Sequence, residues 1–224
     1  MKRTDKNQIF TKQIDSIYEK STAFWAVPVM VIILCGLLRG TVPASLLLSW
    51  AAANFLIMLA RLLLVRRYRS RQDSTLDVKK WGWIYAWLLW LSGLAWGVSG
   101  FLFFAPDSFL HQVYLTLMTV GAVTGATPLY SALYHFILPY VVLVLSPLAF
   151  RFFSADDPIS MTMGGLLLLF FILLLSSIRT LNRSLNDALI RSRENKTLIT
   201  ELEQSKNMLE SKLTELDQTN TALE

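Results

Sequence analysis

The sequence predicts an all-α membrane protein in which six transmembrane helices are followed by a long parallel dimeric coiled coil. Three observations carry this. Of 224 residues, 54% are apolar and 17% charged, with a mean hydropathy of +0.45, against about 25% charged in an ordinary soluble domain. The charge falls into two regimes: residues 1–178 hold 14 Lys/Arg and 8 Asp/Glu, whereas residues 179–224 hold 7 and 8 with no aromatic residue. Leu202, Leu209, Leu216 and Leu223 then repeat at strict seven-residue spacing in that second regime, the signature of a coiled coil. Three parts follow: a cytoplasmic interfacial helix over 1–21, a six-span membrane domain over 22–178 and a cytoplasmic coiled coil over 179–224.

In the first part Ile9, Phe10, Ile14, Ile17 and Tyr18 recur at helical spacing with Lys, Asp and Glu between them. That pattern fits a helix lying on the leaflet, and equally a helical extension of the first span. Crossing the hydrocarbon takes about 20 apolar residues. The candidate runs are Ala23–Leu38, Pro43–Val65, Trp81–Phe104 and Ile159–Ile178, together with Val113–Phe150, which has no Lys, Arg, Asp or Glu over 38 residues. That last run is twice the length one span needs. Thr127-Pro128 is a natural break, so the chain is expected to turn near Ala126–Ser131 and cross twice.

Orientation follows from the Lys/Arg count on alternate sides. Eleven lie before the first span or between the second and third, against Arg39 and Arg151 on the other side. Both termini are therefore expected in the cytoplasm, and the first run is expected to be retained as a span rather than removed as a signal peptide. The basic pI near 9.4 comes from residues flanking apolar runs, so it implies a lipid bilayer rather than nucleic acid. Cys35 is the only cysteine, which excludes an intrachain disulfide framework.

From Gly165 to Glu224 no glycine or proline interrupts a helix leaving the sixth span. With Leu181 at position d, the stripe reads Leu181, Leu185, Ile199, Leu202, Leu209, Leu213, Leu216 and Leu223, interrupted by polar Ser192, Asn195, Lys206 and Asn220. Polar a and d residues cost stability and fix register, so a parallel homodimer is expected. The pattern stops in phase at Glu224, which is expected of a connector to a further domain.

Gly93-Leu94-Ala95-Trp96-Gly97, Phe103-Phe104-Ala105-Pro106 followed by His111-Gln112, Gly121-Ala122, Gly125-Ala126, Pro139, Pro147, Leu181-Asn182-Arg183-Ser184-Leu185, Arg193-Glu194-Asn195 and Leu198 give the chain a family likeness. Over roughly residues 61–206 it resembles the multi-span N-terminal input regions of bacterial membrane-bound signalling proteins, whose outputs are GGDEF/EAL cyclic-di-GMP domains or hybrid sensor histidine kinases. The resemblance implies the bacterial inner membrane and a regulatory role toward a diguanylate cyclase/phosphodiesterase or a histidine kinase of a two-component system. Met208–Glu224 continues a plain heptad pattern where a kinase would run into its phospho-accepting histidine, which favours a GGDEF-type output or a further sensory domain.

No catalytic motif occurs in these residues, no cofactor is expected, and His111 and His135 lack the spacing of a ligand pair. Arg61 is the one basic residue well inside a span, where charge is functional by default. Its side chain either snorkels toward the headgroups, Arg66 being about 7.5 Å of helix rise away, or takes part in ligand binding or coupling. Trp90 and Trp96 lie deeper than an aromatic belt requires, and with His135, Pro139 and Tyr140 they are the candidate lining of a pocket for a small-molecule or membrane-borne signal. Each also has an ordinary packing explanation. Ser192 and Asn195, a polar a/d pair between apolar layers, are the candidate coupling element. A small transporter or channel and a passive dimeric anchor are the rival classes. The former would show mid-membrane charge and an internal repeat, neither of which is clear in this sequence.

Overall fold

The computed structural model describes Gln13, Ile14, Tyr18 and residues 26–70, 78–131 and 133–221, with backbone alone for 189, 193 and 214–221. The described residues form six helices: α1 (Ala26–Leu37), α2 (Ala44–Arg69), α3 (Val78–Leu102), α4 (Phe109–Tyr130), α5 (Tyr134–Phe153) and α6 (Pro158–Thr221). They include no strand, only an isolated bridge between Arg39 and Val42. The chain divides into two compact units, Met1–Asn182 and Arg183–Glu224.

Five helices, α2 to α6, are long and apolar enough to cross a membrane, which makes this a helical membrane protein. The described part of the first expected span, α1, has 12 residues, and residues 23–25 of that expected run lie outside the described residues. After α1 the chain reverses within six residues, 38–43. Gly40, at φ 94°, takes a left-handed conformation that a side chain would disfavour, and Thr41 and Val42 both donate their N–H to the Leu38 carbonyl.

The expected break at Thr127-Pro128 is corrected by the structure: α4 runs on to Tyr130 and α5 begins at Tyr134. Proline in the last turn forfeits a single hydrogen bond near the helix end, and Thr127 Oγ1 donates to the Val123 carbonyl beside it. Pro139 and Pro147 likewise sit inside α5.

The most extensive helix contact in the first unit joins α3 to α5. Gly93, Gly97 and Gly100 make it possible, since a side chain at Gly97 would come within 2.0 Å of the Leu143 carbonyl oxygen. That carbonyl is the one whose helical donor Pro147 lacks. Trp90 Nε1 adds a hydrogen bond to the Phe136 carbonyl at 2.9 Å. At one end of the bundle, His111 bonds the Phe103 carbonyl at 2.6 Å, and the Arg151 guanidinium lies over the Phe101 and Phe104 rings. Asp157 there caps α6 through the N–H groups of Ile159 and Ser160. Hydrogen bonds from Ser160, then Ile159, hold its carboxyl below the usual range.

At the opposite end Ile14 and Tyr18 are buried. Tyr18 stacks on Tyr68 at 3.8 Å and donates its hydroxyl to the Trp81 carbonyl, and burial pushes its phenol up. Gln13 is buried as well, and the other residues of the expected interfacial helix lie outside the described residues.

The second unit is the later part of α6, residues 183–221 among those described. Ile199, Leu202, Leu209 and Leu213 are exposed there. Ser192 and Asn195 are exposed as well, and Lys206 pairs with Glu210 one turn on. Leu181, at the end of the first unit, and Leu185 are half-buried. The Leu216 side chain and Leu223 lie outside what is described.

Candidate functional site

Helical periodicity brings a small set of polar groups into one place in the first unit. On α3, Tyr85, Leu89, Ser92 and Trp96 follow one another at steps of four, three and four residues and so share a face. On α4, Gly121, Ala122, Gly125, Ala126, Leu129 and Tyr130 do the same, with small residues for two turns and then a tyrosine. Arg61 of α2 and Tyr140 of α5 approach from either side.

Arg61 is 5% exposed, so it does not snorkel out of the bundle. Its Nη2 donates to the Tyr85 hydroxyl at 2.9 Å and to the Tyr130 hydroxyl, and the two phenols are themselves hydrogen-bonded at 3.1 Å. The guanidinium carbon also stands 5.3 and 5.6 Å from the centres of these two rings, within reach of cation–π attraction. Taking a charge out of water costs several kcal/mol even after relaxation. Phenol oxygens and ring faces offset that cost without adding a negative charge.

Beside this cluster lies a cavity of about 120 Å³. Arg61, Ser92, Tyr130 and Tyr140 supply its polar lining, and Trp96 and Leu89 its apolar back wall. Ala26, Val27 and Met30 of α1 and the glycine and alanine face of α4 form its other side. Ala26, Gly121 and Gly125 are exposed, so the mouth opens between α1 and α4 on the outside of the bundle. The cavity exists because α4 presents glycine there: a side-chain carbon at Gly125 would have no neighbour within 4 Å. A smaller hollow adjoins, sharing Arg61 and Ser92 and adding Asn54.

Of the pocket residues expected from sequence, Trp96 and Tyr140 line the cavity and are 1% and 4% exposed. Trp96 also packs edge-on against Trp50 at 5.4 Å. Trp90 and Pro139 lie away from it, Trp90 engaged with Phe136, Trp83 and Trp87. His135 is exposed, its ring against Tyr134. Sequence reasoning missed Tyr85, Tyr130 and Ser92. The available signal was Arg61 itself, since a buried guanidinium needs acceptors and the spans offer tyrosines but no carboxylate.

One contact links this site to the last helix. Immediately after Tyr130, the Ser131 carbonyl accepts a 2.6 Å hydrogen bond from Asn182 Nδ2 of α6. Among the described residues no three His, Cys, Asp or Glu converge as a metal site would require. Comparison with protein-family models, with curated proteins and with solved structures gave no match in any of the three.

Proposed function

We propose that this chain is the membrane input module of a bacterial signalling receptor. In this reading it crosses the inner membrane six times, with both termini in the cytoplasm. A rearrangement of the bundle passes through α6 into a parallel dimeric coiled coil and on to an output domain, most simply a GGDEF-type diguanylate cyclase/phosphodiesterase.

The observation that carries the reading is α6 itself. One helix, Pro158–Thr221, holds both a membrane-spanning run and the leucine heptads, and Asn182 ties it to the turn that adjoins Tyr130. Exposed Ile199, Leu202, Leu209 and Leu213 are large apolar groups at a and d positions, with Ile190, Leu198 and Met208 exposed on the same stretch of helix, and such a surface calls for a partner. A second copy of the same stripe provides one. Ser192 and Asn195 interrupt it, and a weak layer allows two packings of similar energy, which a transmitting helix needs.

The test joins a diguanylate cyclase domain after Glu224 and varies the helix after Asn195. One inserted residue rotates everything downstream by about 100°, whereas seven restore the heptad phase. Cyclic-di-GMP output should change several-fold with one residue and return to the parental level with seven. Replacing Ser192 with Ile and Asn195 with Leu should fix output at one level. Output indifferent to insertion length and to both substitutions would make the chain a passive anchor.

A further inference from the structure

Building on the input-module reading, we propose that the cavity beside Arg61 takes the carboxylate head of a membrane-dissolved alkyl carboxylate, entering from the bilayer between α1 and α4. Each polar group that lines the cavity, Arg61, Ser92, Tyr130 and Tyr140, can donate a hydrogen bond. Ser92 and Tyr140 are 5% and 4% exposed and line the cavity, and neither hydroxyl makes a hydrogen bond among the described residues. Tyr85 and Tyr130 share one hydrogen bond, so one of their two hydroxyl protons is left to give. Arg61 adds a permanent positive charge, and no Asp or Glu lines the cavity to repel an anion.

A carboxylate offers about four acceptor positions on two oxygens, matching this set in number and sign. A ketone or quinone oxygen offers two and no charge. The size narrows the ligand further. At about 120 Å³ the cavity is somewhat smaller than the engineered cavity of about 150 Å³ that holds benzene. It has room for a head group and a few carbons. A longer chain has to leave through the mouth, where Ala26, Gly121 and Gly125 are exposed and the surroundings are apolar helix surface. An occupant bonded to Tyr130 also acts one residue from Ser131, whose carbonyl holds Asn182 of α6.

The full chain in phosphatidylcholine nanodiscs, photolabelled with a diazirine-bearing lauric acid and mapped by mass spectrometry, tests this. Adducts should concentrate on residues 26–37 and 109–130 and be competed at least tenfold better by laurate than by lauryl alcohol. Arg61→Gln should lower labelling about tenfold or more, the usual reach of a charge-assisted hydrogen bond. Gly125→Leu should lower it comparably by closing the mouth, and its new Cβ meets no heavy atom within 4 Å, so it tests the site even where Arg61→Gln fails to insert. Equal competition by the alcohol, undiminished labelling of Gly125→Leu, or adducts scattered over all lipid-facing helices would overturn the proposal. Labelling is read without an output domain, so its failure leaves the insertion series to judge the input-module reading, and failure of that series leaves the binding site standing.

Discussion

Gly97 and Gly125 show how one residue type does opposite work in two helices. At Gly97 the missing side chain lets α3 meet the backbone of α5, since a Cβ would stand 2.0 Å from the Leu143 oxygen and 3.1 Å from the Pro147 ring. At Gly125 the missing side chain leaves open space. Gly97→Ala should therefore force the two helices apart and cost about 1–3 kcal/mol. Gly125→Ala should be neutral or gain up to about 1 kcal/mol of helix propensity. Thermal unfolding of the two variants in the same detergent checks this, and equal stability would contradict the close α3–α5 contact. Both glycines stand out in the sequence as small residues at four-residue spacing, but which of them packs and which opens a cavity depends on the facing helix. Arg61 is legible in the same partial way. A charge inside a span announces itself, while its acceptors lie 24 and 69 residues along the chain and no local pattern links them.

Most of the helices can be read from the chain because apolar length is a strong signal. The expected runs Pro43–Val65 and Trp81–Phe104 sit within or nearly within Ala44–Arg69 and Val78–Leu102. The break between α4 and α5 is less legible, since the rule that proline ends helices is weaker near a helix terminus, where few bonds remain to lose. Placing the turn after Tyr130 rather than at Pro128 matters for the site. It keeps Tyr130 helical and in phase with Ala122 and Ala126, aimed at Arg61, and it sets Ser131 in reach of Asn182. Trp90 and Pro139 were reasonable pocket candidates by depth and by kink, yet the α3–α5 contact absorbs Trp90 through its bond to Phe136. In such a bundle a large side chain facing the tightest helix pair becomes packing, and a pocket forms where a helix is lined by glycine and alanine.

At the scale of the whole molecule the proposed topology rests on eleven basic residues of one side against two of the other. Reporter fusions after Arg71 and after Glu224 should both read cytoplasmic, and a periplasmic signal from either would reverse the orientation. The proposal that membrane events reach an output domain rests in turn on a parallel pair of α6 helices. Disulfide trapping in native membranes measures this directly, in a Cys35→Ala background with single cysteines placed along residues 181–213. A cystine needs Cα atoms about 4.4–6.8 Å apart, a distance met in a parallel coil at a and d positions only. Cross-linked dimer should peak at Leu185, Ile199, Leu202, Leu209 and Leu213 and fall away at Thr197 and Gln204 on the outer face. Uniform cross-linking along the helix, or none at Leu202 and Leu209, would contradict a dimeric signalling coil.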